Sequence, residues 1–222
     1  MDIAGNIQSI KNSLPNGVKL VAVSKTKPNE DILAAYRAGH RIFGENKVQE
    51  LVQKYEQLPK DIDWHFIGHL QTNKVKYVAY FVNLIHSVDS FKILKVIDSE
   101  AKRHKRIVNC LLQFHIAEED TKFGLTLAEA QEMLGSPDFK ILKNICIAGV
   151  MGMATYTDNA GQIRTEFKFL KTIFKTLKNE YFSDDKKFCE ISMGMSDDYP
   201  IAIEEGSTII RVGSKIFGER NY

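Results

Sequence analysis

Short apolar runs alternate with amphipathic stretches along almost the whole chain. The runs are rich in β-branched residues and are bounded by turn-forming residues, a pattern that predicts β-strands. Eight strands are predicted, at Val18–Ser24, Arg41–Gly44, Trp64–Ile67, Leu84–Val88, Ile107–His115, Ile145–Val150, Phe188–Ile191 and Thr208–Val212. Between them the apolar residues recur at helical spacing, most clearly at Phe167, Leu170, Phe174, Leu177 and Tyr181. The pattern therefore predicts repeated strand–helix units.

Repeated strand–helix units indicate a parallel sheet, because each helix carries the chain back to start the next strand in the same direction. Eight strands in 222 residues is the number found in an α/β barrel of the (β/α)8, or TIM barrel, type. The alternative is an open doubly wound sheet, but no predicted strand is followed by a GxGxxG turn. Because no linker divides the chain, we expect residues 1–222 to form a single barrel domain, with an extra N-terminal helix within Met1–Leu14.

Composition and charge exclude few functions but favour a protein that binds neither nucleic acid nor membranes. The net charge is +2, from 30 basic and 28 acidic residues, and no apolar run approaches membrane-spanning length. Cys110, Cys146 and Cys189 lie in apolar runs without zinc-ligand spacing, so we expect buried, reduced thiols. The N-terminal segment lacks the features of a signal peptide, and the expected location is the cytoplasm.

Polar residues and glycines gather at the C-terminal ends of the predicted strands, which form the functional face of a barrel. The loops after strands seven and eight commonly bind phosphate in this fold. In this chain they read SMGMSDD and RVGSKIFG, with hydroxyl groups at Ser192 and Ser196 and backbone N–H groups at Gly213 and Ser214. Because Gly194 also allows close approach to the backbone, these two loops predict a phosphate site.

The first predicted strand runs into SKTKP, which places two lysines at the same functional face. Alternation puts Val21, Val23 and Lys25 on one face of the strand, the interior face in a barrel of this kind. Burial and nearby cations such as Arg211 favour a neutral, nucleophilic amine. A nucleophilic lysine near a phosphate site suggests a Schiff base with a sugar-phosphate aldehyde or with pyridoxal phosphate. The alternative is a lysine that is paired with a carboxylate, Glu45 or Glu204.

Five segments together resemble the pyridoxal phosphate homeostasis proteins: VAVSKTKP, FGENKVQE, WHFIGHLQTNK, GVMGMAT and SMGMSDDYPIAIEEGSTIIRVGSKIFGER. Members of this family are barrels similar to the N-terminal domain of alanine racemase, the type III fold of pyridoxal phosphate proteins. The resemblance extends from about Lys19 to Arg220. It implies that pyridoxal 5'-phosphate is the cofactor and that Lys25 forms the internal aldimine, with Lys27 as a neighbour.

The same resemblance assigns further residues to the cofactor. It implies that Arg211 faces the pyridine nitrogen and that Asn46 lies beside the cofactor. The phosphate-binding positions that it implies are Ser192, Gly213 and Ser214, with Ser196 as an additional position. Lys122 matches a lysine of the family on the loop after strand five, although the preceding QFHIAEED departs from the usual Asn-containing form.

Two functions follow from the resemblance: a carrier that buffers or delivers pyridoxal phosphate to apoenzymes, and a pyridoxal phosphate-dependent racemase. A guanidinium such as that of Arg211 keeps its proton, so the pyridine nitrogen facing it stays unprotonated and the cofactor is a weaker electron sink. Alanine racemase uses a tyrosine base from a second domain, whereas this sequence ends at Tyr222, soon after the eighth strand. We expect a monomeric carrier without catalytic turnover, in which Tyr156 and Tyr199 are rim residues.

Overall fold

In a computed structural model, which describes residues 1–119 and 123–219, eight parallel strands form a closed barrel in sequential order. This confirms the predicted barrel, and the open doubly wound sheet is wrong because β1 pairs with β8 as well as with β2. The strands are β1 (Lys19–Val23), β2 (Ile42–Glu45), β3 (Asp63–Phe66), β4 (Leu84–Val88), β5 (Val108–Gln113), β6 (Ile145–Met151), β7 (Glu190–Ser192) and β8 (Ile209–Val212).

Helices follow the strands and cover the outside of the barrel. They are α1 (Ile3–Ser13), α2 (Asn29–Arg37), α3 (Val48–Gln57), α4 (Phe91–Arg103), α5 (Leu127–Gly135), α6 (Pro137–Lys140), α7 (Ala160–Tyr181), α8 (Tyr199–Glu204) and α9 (Ser214–Phe217). A 3-10 helix, Thr72–Tyr77, follows β3 in place of an α-helix. In the described part of the chain, no helix has the length and apolar character needed to cross a membrane.

The predicted N-terminal helix is α1, which precedes the first strand. The Asp2 side chain accepts a hydrogen bond from the backbone N–H of Gly5 at 2.8 Å and thereby caps the helix. Ile3, Ile7 and Ile10 form its buried stripe. The Asn6 side chain of this helix donates to the carbonyl of Ile216 at 3.0 Å, so α1 is bound to α9.

Apolar side chains pack in two places, outside and inside the strands. The outer and larger core lies between the strands and helices and contains Trp64, Phe43 and Phe167. A small inner cluster fills part of the barrel interior and comprises Val21, Leu84, Leu111, Met151 and Ile209. Inward-facing residues therefore alternate with outward-facing ones, as predicted for β1. The remaining interior is polar, and that is where the candidate site begins.

A register shift in β6 was not predicted. Cys110 of β5 pairs with Ile147, whereas the next residue, Leu111, pairs with Gly149, so one residue of β6 is extra. Gly149 has φ +154°, and a Cβ atom there would lie 1.8 Å from the carbonyl oxygen of Glu190. Only glycine allows β7 to approach this closely.

The three cysteines differ in exposure. Cys110 is buried, Cys146 is partly buried and Cys189 is exposed, and all three are free thiols. The expectation of burial is therefore wrong for Cys189, which lies just before β7 begins. Burial raises the pKa of the Cys110 thiol far above its usual range.

Candidate cofactor site

The predicted site residues lie at the C-terminal ends of four strands. Val21 of β1 pairs with Arg211 of β8, and Val23 of β1 pairs with Gly44 of β2. Lys25 and Asn46 therefore leave neighbouring strands at the same end of the barrel. This is the arrangement expected for a site at the catalytic face of the fold.

Arg211 is the buried cation of the site. Its side chain projects into the barrel interior, the residue is 4% exposed, and the guanidinium donates to the hydroxyl of Ser192 at 2.6 Å and to the carbonyl of Gly152 at 3.1 Å. Burial lowers the pKa of Arg211 to about 10, and the charge of Asp198 opposes this shift. The guanidinium remains charged at neutral pH and is held by groups from two other strand ends.

Ser192 lies beneath this guanidinium. The residue is fully buried, and its hydroxyl contacts both Arg211 and the Nδ1 atom of His86, the latter at 2.9 Å. Both contacts point into the barrel. The structure thus places Ser192 under Arg211, in the floor of the site.

Ser196 and Gly213 bring the loops after β7 and β8 together. The backbone N–H of Gly213 donates to the hydroxyl of Ser196 at 3.3 Å, and Ser214 begins α9 directly afterwards. A Cβ atom at Gly213 would lie 3.2 Å from the carbonyl oxygen of Val23, so a side chain would press on the end of β1. Hydroxyl and backbone N–H groups gathered in this way suit an anion such as phosphate.

Lys25 lies half-buried in a turn that side chains hold on both sides. Before it, the hydroxyl of Ser24 donates to the Glu45 carboxylate at 2.6 Å. After it, the backbone N–H of Thr26 donates to the carboxylate of Glu50 at 2.6 Å, and Thr26 has φ 64°, the left-handed region that β-branched residues avoid. These contacts fix the backbone on either side of the lysine.

A buried lysine, Lys54, also holds this turn. We call Ser24, Glu45, Glu50 and Lys54 together the clamp around Lys25. Its amine donates to Glu45 at 2.8 Å, to Glu50 at 2.6 Å and to the carbonyl of Ser24 at 2.8 Å. Burial raises the pKa of Glu45 to about 7, and the bonds from Lys54 and Ser24 oppose the shift. Glu45 and Glu204 were the carboxylates considered as partners of Lys25. In the structure, Glu45 forms an ion pair with Lys54, and Glu204 forms one with Arg164.

Lys27 contacts the backbone at the end of the last helix. Its amine donates to the backbone carbonyls of Phe217, Gly218 and Glu219 at 2.8, 3.1 and 2.9 Å. These carbonyls lie at the C-terminal end of α9, where a positive charge is favourable. Lys27 therefore fastens the first loop of the barrel to the last helix.

Other predicted positions fall around the rim or outside the site. Asn46 is half-buried, and its Oδ1 atom is buried without a hydrogen-bond partner among the described residues. Tyr156 is 86% exposed, while Tyr199 packs on the outer core with the Lys215 amine 4.9 Å from its ring centre. Lys122 lies outside the described residues.

The histidines near strand ends take part in local contacts. His65 and His86 are joined at 2.9 Å, His69 contacts Asp89 at 3.0 Å, and His115 contacts the carbonyl of Glu119 at 2.9 Å. Within residues 1–119 and 123–219, no three His, Cys, Asp or Glu side chains cluster as metal ligands would.

Sequence reasoning missed the clamp around Lys25 and the support beneath Arg211. The support beneath Arg211 could have been found from the sequence, because His65 and His86 occupy inward positions of predicted strands. The clamp around Lys25 was harder to find from the sequence, because Lys54 belongs to a helix and resembles any other lysine of an amphipathic segment.

Comparisons with known proteins agree on one group. Residues 2–221 match the family model described as alanine racemase, N-terminal domain. A pyridoxal phosphate homeostasis protein of Aquifex aeolicus is 39% identical over 209 residues, which cover 93% of this chain and 89% of that protein. PipY of Synechococcus elongatus, solved with PLP bound, is 36% identical with a TM-score of 0.89, covering 97% of this chain and 100% of PipY.

A more distant likeness concerns the fold alone. Alanine racemase from Bartonella henselae is 15% identical with a TM-score of 0.70, and the match covers 100% of this chain but 61% of the racemase. The barrel described above is therefore shared with a part of a larger enzyme.

Proposed function

We propose that this chain binds pyridoxal 5'-phosphate and buffers or delivers it without catalytic turnover. The chain belongs to the pyridoxal phosphate homeostasis protein family, and it has the fold of the alanine racemase N-terminal domain. One observation carries the proposal. A lysine, a buried guanidinium and a hydroxyl beside backbone N–H groups all lie at one end of the barrel. These groups match an aldehyde, a pyridine nitrogen and a phosphate.

The proposed contacts follow from where each group lies. Lys25 is the residue that holds the cofactor as a Schiff base, in which the amine nitrogen replaces the aldehyde oxygen and water leaves. Arg211 lies where it can face the pyridine nitrogen, and Asn46, with its buried and unbonded Oδ1 atom, can contact the cofactor from the neighbouring strand end.

The phosphate is proposed to bind at Ser196, Gly213 and Ser214. Ser192 was also expected at the phosphate, but its hydroxyl contacts Arg211 and His86 inside the barrel. We therefore propose that Ser192 serves the cofactor by supporting Arg211.

The described side chains favour a carrier over a racemase. When bound, pyridoxal phosphate supplies an electron sink for carbanion chemistry, and the charged Arg211 keeps the pyridine nitrogen from being protonated. Tyr156 points into solvent at 86% exposed, and Tyr199 packs on the core, so neither is held over Lys25 as a proton-transfer base. We also propose that the protein is a monomer that serves cytoplasmic apoenzymes.

Borohydride reduction tests the attachment point. Reduction of the loaded protein followed by peptide mass mapping should place the cofactor on Lys25, with Lys25→Arg unlabelled and the matched control Lys27→Arg labelled like the wild type. Label on Lys27 with Lys25 unmodified would refute the assignment.

Two activity measurements separate the carrier from the racemase. The loaded protein should restore activity to a cofactor-free pyridoxal phosphate enzyme. It should exchange the Cα proton of alanine in deuterated water no faster than free cofactor, because positioned acid–base groups usually supply roughly a hundred- to ten-thousand-fold each. Stereospecific exchange well above that rate, lost in Lys25→Ala and in Tyr199→Phe, would establish a racemase instead.

A further inference from the structure

A line of polar side chains crosses the barrel interior from the candidate site to the opposite end. Arg211 contacts Ser192 at 2.6 Å, Ser192 contacts His86 Nδ1 at 2.9 Å, His86 Nε2 contacts His65 Nδ1 at 2.9 Å, and His65 Nε2 lies 3.4 Å from Asp63. The first four residues are between 0% and 4% exposed. Four strands contribute to this line, which we call the interior chain.

The position of each hydrogen in the interior chain follows from its far end. Asp63 starts β3 and accepts a hydrogen bond from Asn83 at 2.5 Å. Burial would raise the pKa of Asp63, but His65, Asn83 and the charge of Lys19 together lower it. As a carboxylate it can only accept, so His65 must carry its hydrogen on Nε2.

The remaining hydrogens are then fixed in turn. In the neutral form of His65, one nitrogen donates and the other accepts, so with the hydrogen on Nε2 its Nδ1 accepts and His86 Nε2 carries the hydrogen between the rings. Burial, with the charge of Arg211, holds the pKa of His86 well below its usual value, which keeps this ring neutral. His86 Nδ1 therefore accepts the single hydroxyl hydrogen of Ser192, and the Ser192 oxygen is left to accept from Arg211.

We propose that His86 and His65 are positioning residues for Arg211, acting through the hydroxyl of Ser192. His86 accepts a hydrogen bond from the Ser192 hydroxyl, and an oxygen lone pair of Ser192 is thereby directed towards the guanidinium. The guanidinium of Arg211 donates to Ser192 from one terminal nitrogen and to the carbonyl of Gly152 from the other. These two hydrogen bonds fix the plane of the guanidinium. The inference deepens the proposed function and rests on it, since Arg211 is the group proposed to face the pyridine ring.

Nitrogen-15 NMR of the cofactor-free protein tests the hydrogen positions directly. Both His86 and His65 should show a protonated Nε2 and an unprotonated Nδ1 at neutral pH. Replacing Ser192 by Ala should shift the Nδ1 resonance of His86 and leave the tautomer of His65 unchanged. A protonated Nδ1 on His86 in the wild type would overturn the proposal, because Ser192 would then have its hydrogen free.

Ligand affinity tests the positioning role. His86→Phe removes both contacts of the ring and should weaken pyridoxal phosphate and pyridoxal alike, by about ten- to a hundred-fold, the range expected when a charge-assisted hydrogen bond is disturbed. His86→Asn keeps an oxygen that can accept from Ser192 and should recover most of this loss. If the Phe variant does not fold, the nitrogen-15 NMR measurement on the wild type and on Ser192→Ala still tests the proposal.

Leu84→Ala is the matched control. Leu84 lies two residues before His86 on the same inward face of β4 and belongs to the inner apolar cluster. This variant should lose thermal stability while its affinity for both ligands stays within about two-fold of the wild type. Affinity that falls in parallel with stability in both variants would reduce His86 to a packing residue and overturn the proposal.

The outcomes separate this inference from the proposed function. A wild-type protein that fails to bind pyridoxal phosphate would end the proposed function and the positioning role together. A wild-type protein that binds it through Lys25, with a His86→Phe variant of unchanged affinity and absorption maximum, would refute the inference alone.

Discussion

Replacing Lys54 by Met is expected to destabilise the fold strongly, and more so as the pH rises. The lysine and Glu45 side chains are 7% and 0% exposed and lie 2.8 Å apart. Removing one partner of such a buried pair costs about 3–5 kcal/mol, because the other charge is left uncompensated. Here the remaining group is a carboxylate whose Oε2 atom already lacks a hydrogen-bond partner among the described residues.

The pH dependence follows from the direction of the Glu45 shift. The folded protein raises the pKa of this carboxyl from 4.5 to about 7. The stability that comes from the protonated form is therefore fully present below pH 4.5 and is lost as the pH rises through about 7. Without Lys54 the pKa rises further, so the loss continues to higher pH and the deficit relative to wild type grows from about pH 7 upwards.

Urea unfolding at about pH 6 and about pH 8.5 measures this effect. We expect Lys54→Met to lose about 3–5 kcal/mol at the higher pH and clearly less at the lower one. Adding Glu45→Gln removes the stranded charge and should restore part of the loss while abolishing its pH dependence. Lys92→Met, on the exposed face of α4, is the matched control and should change stability by less than about 0.5 kcal/mol. A small, pH-independent loss in Lys54→Met would show that Glu45 does not depend on this lysine.

Three further predictions concern other parts of the molecule. Ser196→Ala should weaken pyridoxal phosphate binding by about 1.5–3 kcal/mol in a fluorescence titration and leave pyridoxal binding unchanged; equal losses would place the phosphate elsewhere. Gly149→Ala should cost about 2–4 kcal/mol in urea unfolding, because its Cβ atom would meet the carbonyl of Glu190 at 1.8 Å; a neutral change would refute the tight crossing. In the native protein a thiol reagent should modify exposed Cys189 well before buried Cys110, and equal rates in peptide mapping would contradict their burial.

The strands were predictable because their signal is local. Alternation and flanking turn residues located all eight strands to within a few residues, and they placed Val21 on the inward-facing side of β1. The loops after β7 and β8 were also recognisable from their serines and glycines, and the structure brings them together at Ser196 and Gly213. Spacing alone could not choose Lys25 over Lys27; that choice came from the family resemblance.

The missing parts depend on contacts between distant segments. The role of Lys27 became clear only with the position of α9, and the place of Ser192 under Arg211 depended on which strands face each other across the interior. The extra residue in β6 likewise precedes Gly149, where β7 approaches closely. None of these relations has a local pattern, because each depends on barrel closure and register.

Barrel closure joins the first strand of the chain to the last one. Lys19 of β1 pairs with Ile209 of β8, so the first strand waits for the last one before the ring can close. Pairing over such a distance along the chain is slow, because the entropy of closing a long loop must be met first. A nascent chain on the ribosome therefore presents Lys25 long before Arg211 and Gly213 have been made. A ligand that contacts both strands joins the two ends of the sequence and strengthens the seam at which the barrel closes.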